Sequence, residues 1–317
     1  MKWKLTLVAG VLVLAALIAW ATLLRKPAVP LLPVPPQNAY DTFVAAAEQI
    51  DAGVDNWRDL DEAEVARVSA ANAQAIADVR AALDRESVVP LDAGSNATDL
   101  VQAALDRDRK VLRLGRAMLV ASRQAALSQD AAEESAILVD LLRFSRSASR
   151  GDLLNAHTRS AALADSAIGR LVELTPDLDA AVARRVLQQL LANPLPVEDA
   201  ATVVDRDIAV VMQSHSAGER LVLSSVVGSQ RQQSLQRLEQ VQSRVAAAAA
   251  ALKLRLGLRL FQLENDRLPL KLVELVPEYL PELPVDPATG ESFFYEPGDD
   301  DAYLLHRPAA SDLEEQP

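Results

Sequence analysis

The chain has 317 residues and no cysteine, with 44 acidic against 32 basic side chains and a formal net charge of −12 at pH 7. That composition excludes a disulfide framework, a thiolate metal site, a catalytic thiol and lipid attachment through cysteine. Aromatic residues make up 4% and glycines number only 11, while alanine and leucine dominate, which argues for packed helices rather than sandwiches or barrels.

Residues 5–24, LTLVAGVLVLAALIAWATLL, hold no charge, and a helix of that length spans roughly 30 Å, the thickness of a bilayer core. Lys2 and Lys4 precede the run and Arg25 and Lys26 follow it, so flanking charge alone orients it weakly. The free amine adds a positive charge to the short N-terminus and favours that end inside. Residues 1–26 are therefore expected to be a single-pass inner-membrane anchor, with the rest extracytoplasmic (periplasmic). A cleaved signal peptide is the alternative, because Ala19 and Ala21 form an A-x-A site, although the apolar run exceeds the ~7–15 residues usual for such a segment. Beyond residue 26 there are 28 basic against 44 acidic residues. An excess of that sign repels phosphate backbones and anionic headgroups, so nucleic acid is not an expected partner.

Five prolines in residues 27–37 predict an extended, semi-rigid linker that lifts the following domain off the membrane. Helical spacing then predicts a helix capped by Asn38 with Tyr40, Phe43, Val44, Ala47 and Ile50 on one face, ended by Gly53. A second helix is expected from about Leu60 to Arg85, and a third from a cap at Asn96, Thr98 or Asp99 to about Ser128. Asp130 begins a fourth, with Ile137, Leu138, Leu141, Leu142 and Phe144 as its apolar stripe and Gly151 as its stop. Further helices follow over Leu153–Leu174 and Leu178–Ala192, and from Pro196-Val197-Glu198 to at least His215. Short connections between them predict a helical bundle or α-hairpin stack over residues 38–250.

Residues 216–244 are rich in Ser, Gln and Arg and read either as an exposed loop leading into a helix or as a long helix packed on one side. Leu252, Leu254, Leu256, Leu258 and Leu260 alternate with polar residues at strand period, yet the preceding alanine run favours helix. That reading puts Leu252, Leu256, Leu260 and Leu263 on one face. Pro269 then opens a short helix through Val276, four further prolines impose an irregular loop, and Phe293–Tyr295 and Tyr303–Leu305 form a small hairpin. The hairpin is expected to fold back on the leucines at 256, 260 and 263. Residues 309–317 are an acidic tail expected to be disordered.

Reactive motifs are sparse. No two glycines lie closer than eight residues, which removes Rossmann and P-loop nucleotide sites and the G-x-S-x-G elbow. The three histidines, His157, His215 and His306, lie far apart in sequence. His157 sits on a predicted helix with Asp165 two turns away, where a buried polar contact is the expectation; His215 fits a helix C-terminal dipole, and His306 an exposed strand. Asp61, Glu62, Glu64, Asp130, Glu133 and Glu134 complement helix N-termini. Asp299, Asp300 and Asp301 are oxygen ligands of the type calcium takes, but they occupy a turn and lack ion-loop spacing. Arg107, Arg109, Arg113 and Arg116, interleaved with Asp106 and Asp108, read as a salt-bridged exposed face. No catalytic, cofactor-binding or metal residue is assigned.

The order FQLENDR, Pro269, LVELVPEYLPELP, Asp286-Pro287, Gly290 and an aromatic strand resembles the C-terminal region of type II secretion pseudopilins. The chain lacks the pilin leader and the early glutamate of that family, so the resemblance does not imply processing or polymerisation. The NAYDTFVAAAEQI opening, the ANAQAIADVRAAL helix and the LLRFSRSASRGDLLN region resemble single-anchor bacterial envelope proteins, a likeness that implies architecture but no activity. The expected chain is thus mainly α: anchor 1–26, linker 27–37, helical domain 38–250, pseudopilin-like module 251–308 and tail 309–317. Its expected role is protein–protein interaction or scaffolding. The alternatives are an accessory component of a secretion or pilus system, and a hydrolase or lyase using a lone carboxylate of raised pKa. If residues 5–24 are retained, Leu14→Asp raises the cost of insertion by about 2.5–3.5 kcal/mol. Mass spectrometry of the membrane fraction checks retention: a mature N-terminus at Thr22 would refute it.

Overall fold

The computed structural model describes residues 27–92, 97–195, 198–213, 215–298 and 302–308. The apolar run 5–24, the Asp299–Asp301 turn and the tail 309–317 lie outside them. Among the described residues no helix is long and apolar enough to cross a membrane. The chain is mainly helical and closes with one two-stranded antiparallel sheet.

The N-terminal helices are set by their caps. Helix α1 (Ala39–Ala47) starts at Asn38, whose Oδ1 accepts from Tyr40 N at 3.3 Å and from Val88 N at 3.0 Å, and whose Nδ2 donates to Val88 O at 2.8 Å. One buried amide therefore caps a helix and pins an extended segment fifty residues away. Helix α2 (Glu62–Ala82) opens with a capping box between Asp61 and Glu64. Helix α3 (Ala97–Leu127) turns into α4 (Ala131–Ser149) through Gln129, at φ 56°, and Asp130, which caps α4 at Glu133 N. Phe43 of α1 meets Phe144 of α4 edge-on at 5.2 Å. Gly151, at φ 84°, makes the turn into α5 (Leu154–Leu174). At Gly115 a Cβ would come within 2.6 Å of Leu163, so glycine permits the close approach of α3 and α5. Helices α6 (Ala180–Ala192) and α7 (Ala200–Gln213) complete the run, each shorter at its start than sequence periodicity suggests. From α1 to α5 successive helices pack side by side.

Residues 217–265 form a single helix, α8 (Ala217–Asn265), which packs on α5, α6 and α7. It is a long helix packed on one side for its first part and buried for its second, and it runs straight through the domain boundary expected at residue 250. The alternating leucines have a simple explanation. A step of two residues turns a helix by about 200°, so Leu252, Leu254, Leu256, Leu258 and Leu260 fan over two opposite sides, and all five are buried. A helix apolar all round is one buried between layers.

The C-terminal module supplies one of those layers. Gly257 faces Leu275 and Leu280, and the Phe261 ring lies 5.7 Å from that of Tyr279. Of the expected docking stripe, Leu256 and Leu260 are buried in the same core as Phe293 and Leu305 while Leu263 is 37% exposed and drops out of it; Gly257 and Phe261 meet the loop, and Arg255 lies over the Tyr303 ring of the hairpin at 5.8 Å. The expected helix from Pro269 to Val276 shrinks to a 3-10 turn, Leu272–Leu275. The Glu274 carboxylate tightens its start by accepting from Leu270 N and Lys271 N. Strand β1 (Phe294–Pro297) pairs antiparallel with β2 (Tyr303–His306), placing Tyr295 opposite Leu305. Phe293, Tyr295, Tyr303 and Leu305 join the same hydrophobic core as the helices.

An ion pair between a buried carboxylate and a partly exposed guanidinium fastens the module. Asp286, with no exposed surface, accepts from Ala288 N at 2.7 Å and takes both Nε and Nη2 of Arg307. The Arg307 guanidinium holds its carboxyl below the usual carboxylate range. Arg307→Ala is expected to cost about 1–3 kcal/mol and to open residues 286–308 to limited proteolysis while α1–α6 stay resistant. Unchanged protection of the hairpin would contradict this assignment.

Candidate functional site

The most unusual side chain is Arg206, on the α7 face that also buries Val203 and Val210, with 0% of its surface exposed. Its guanidinium donates from Nε to Pro30 O at 2.9 Å and from Nη1 to Asp152 O at 2.9 Å, and Nη2 pairs with Glu198 Oε1. Glu198 Oε2 accepts from Gly151 N at 3.0 Å and lies 3.5 Å from His157 Nε2. Gln242 of α8 donates to the Glu198 carbonyl at 3.1 Å, and Gln213 of α7 to Pro27 O at 2.9 Å. One buried cation thus joins the start of the described chain, the α4–α5 turn and the entry to α7. The semi-rigid linker expected to stand off the domain lies against it at this end: the Pro27 and Pro30 carbonyls are bonded to α7, and Val29 packs on the core.

Burial by itself pushes the Glu198 carboxyl upward, but His157, Arg206 and the Gly151 N–H outweigh it and lower it to about 2. His157 is buried, and at 3.5 Å from Glu198 Oε2 its Nε2 makes a long polar contact that falls short of hydrogen-bond geometry. The partner expected from sequence, Asp165, pairs instead with Arg244 at 2.7 Å. The Ser160 hydroxyl one turn on is unpartnered, and both residues line a mostly apolar cavity of about 50 Å³ between α4, α5 and α8. That volume suits a water or two, which would satisfy both groups. It does not admit a substrate.

Around this cluster the expected arginine face turns inward. Arg107 pairs with Asp152 at 3.3 Å, Arg113 donates to Ile50 O at 3.0 Å, and Arg116 reaches Asp55 at 3.4 Å. Asp108 is buried and pairs with Arg159 at 3.0 Å. Only Arg109 with Asp106 forms the exposed pair that the charge pattern suggests. These side chains are ties between helices, because α3 is central and both its flanks are covered. The acidic N-termini behave similarly: Glu134 is buried against Arg170, and Glu133 bonds Arg80 at 2.7 Å. His215 Nδ1 lies 2.8 Å from Val211 O near the end of α7, and His306 is exposed and stacks on Phe294.

Burial raises the carboxyl pKa of Asp108, Asp140 and Asp207. Each is engaged, by Arg159, by Arg80 and by Leu154 N respectively, and none lines any of the cavities described here. Among the described residues no three His, Asp or Glu side chains are grouped to hold a metal.

A second polar feature is a cleft of about 380 Å³ between the 83–87 turn, the last two turns of α4 and the end of α6. Arg85, Arg143, Arg146 and Arg150 line it together with Glu86 and Ser87. Sequence reasoning missed both features. The signal for Arg206 was present, since it falls three residues after Val203 and four before Val210 on a buried stripe.

Comparison with known proteins finds no matching family model, no similar curated protein and no similar solved structure.

Arg206→Met leaves Glu198 buried without its countercharge and is expected to cost about 3–5 kcal/mol, part of which the double variant with Glu198→Gln recovers. Because the Glu198 pKa is lower in the folded chain than in the unfolded one, its contribution is complete above the ordinary value of 4.5 and fades as pH falls toward about 2. Denaturant titrations at neutral and acid pH check both points. Equal acid sensitivity in the wild type and in Glu198→Gln would contradict the assignment.

Proposed function

We propose that the chain is a membrane-tethered extracytoplasmic scaffold that acts by binding a protein partner along the first half of α8. The observation that carries this reading is the exposure of that half-helix. From Val222 to Arg237 no described side chain is buried, and Val222 and Val226, one turn apart, are 70% and 46% exposed. A helix that leaves the body of a domain with an apolar pair on its surface is suited to receive an apolar face of another protein. Leu235 and Leu238 hold its base on α7, and Arg231 bonds Asp205 through Nε at 2.6 Å and Nη2 at 3.1 Å.

The tether is the uncharged run at residues 5–24, and the hydrogen bonds of Arg206 to Pro30 O and of Gln213 to Pro27 O support a fixed exit direction for it. A carboxylate-dependent hydrolase lacks a carboxyl of raised pKa in any cavity described here. The accessory-component reading draws on the order of α8, the proline-rich loop and the hairpin, which follows the pseudopilin-like pattern of residues 261–307.

A photo-crosslinking residue at Val222 of the full-length protein in membranes tests the scaffold reading. We expect one discrete adduct, lost when Val226 is replaced by Asp and absent from a probe placed at exposed Arg109. No adduct at Val222, or equal adducts at both positions, would overturn it.

A further inference from the structure

We propose that the arginine-lined cleft binds a phosphate group, either as inorganic phosphate or as the headgroup of a small phosphomonoester. The argument starts from charge. In a chain with 12 more acidic than basic side chains, most arginines of the described residues pair with a carboxylate, as Arg80, Arg107 and Arg170 do. Arg143 reaches Asp84 and Asp140, and Arg150 bonds Glu86 at 2.8 Å. Arg146, between them on the same face of α4, has no described carboxylate within ion-pair distance. Arg85 donates to a neutral hydroxyl, Thr42 Oγ1, at 2.7 Å. Two of the four guanidiniums are therefore left without a countercharge.

Like charges three and four residues apart on a helix destabilise it, so this arrangement opposes the folded chain unless something else neutralises it. Burial and the adjacent Arg150 and Arg143 push the Arg146 pKa down, the mark of a cation with no partner. The dipole at the end of α4 favours cations, which accounts for Arg150 but not for Arg85 on another segment. An independent observation points the same way. The Ser87 hydroxyl, 4% exposed, lines this cleft and has no hydrogen-bond partner.

The ligand class follows from these groups. Two uncompensated guanidiniums match a dianion, and phosphate carries about −1.5 to −2 at neutral pH. Arginine's planar fork bonds phosphate oxygens in pairs, and a serine hydroxyl adds a neutral donor. The volume, about 380 Å³, lies at the small end of the range for small-molecule pockets, which favours phosphate or a short phosphomonoester over a polymer. This proposal is independent of the partner surface on α8.

Calorimetry on the detergent-solubilised full-length protein tests it, with inorganic phosphate, glycerol phosphate, citrate and vesicles containing phosphatidic acid as separate probes. We expect phosphate or glycerol phosphate to bind, with affinity falling as salt rises, and Arg146→Gln to weaken it by roughly tenfold or more. Arg109→Gln should bind as the wild type does. Without ligand, Arg146→Gln should melt no lower than the wild type, since it removes repulsion; an arginine with a purely structural role would lower it. Binding to phosphatidic acid vesicles alone, lost in Arg146→Gln, assigns the phosphate to a lipid headgroup. Binding of citrate but not phosphate, no binding of any probe, or phosphate binding unchanged by Arg146→Gln would overturn the proposal.

Discussion

The structure depends on one buried cation. A guanidinium removed from water loses several kcal/mol of solvation, recovered only when its donors are met in good geometry. Arg206 meets that condition by drawing two backbone carbonyls and a carboxylate around itself, each from a different segment: residue 30, residue 152 and residue 198. None of those segments is regular secondary structure, so none is positioned by a helix ladder of its own. The charge does what a turn motif does elsewhere, and it fixes where the chain enters the domain.

Helix α8 plays the complementary part. Its second half is apolar on two sides and lies between the helices and the loop that carries Leu275, Tyr279 and Leu280, which makes the C-terminal module part of the same core. Its first half leaves every described side chain from Val222 to Arg237 at least partly exposed, and such a helix needs external support. That support comes from α7 through a small separate cluster, Ala200, Val203, Val204 and Leu238. The same helix α7 therefore carries Arg206 toward the domain entry and braces the base of the exposed half of α8.

Much of the helical order was legible in the sequence, because caps and periodicity are local. Asn38 and Asp130 cap where their side-chain chemistry places them, and Leu141 and Leu142 are both buried. What could not be read depended on neighbours distant in sequence. Arginine is assigned to solvent by default, so the inward-facing Arg107 and Arg113 read as an exposed face and Arg206 was not singled out. His157 was matched to Asp165 because they share a helix, whereas its neighbour Glu198 belongs to another segment. The leucines at 252–260 alternate at strand period, and it was the neighbouring alanine run, a local signal, that favoured the helix the structure shows, while the burial of all five depended on a second layer.

The last turn of α4 connects the two polar centres. Arg146 lines both the small cavity beside His157 and the arginine cleft. One turn further, Arg150 faces the cleft with its side chain while its carbonyl accepts from Val89 N at 2.8 Å. The next residue, Gly151, gives its N–H to Glu198. Glu198 in turn holds Arg206, and Arg206 holds Pro30. From the cleft the connection runs along the backbone from Arg150 to Gly151 and then through hydrogen bonds to Glu198, Arg206 and Pro30. Within a packed interior, a shift of that helix end cannot be absorbed by loose side chains.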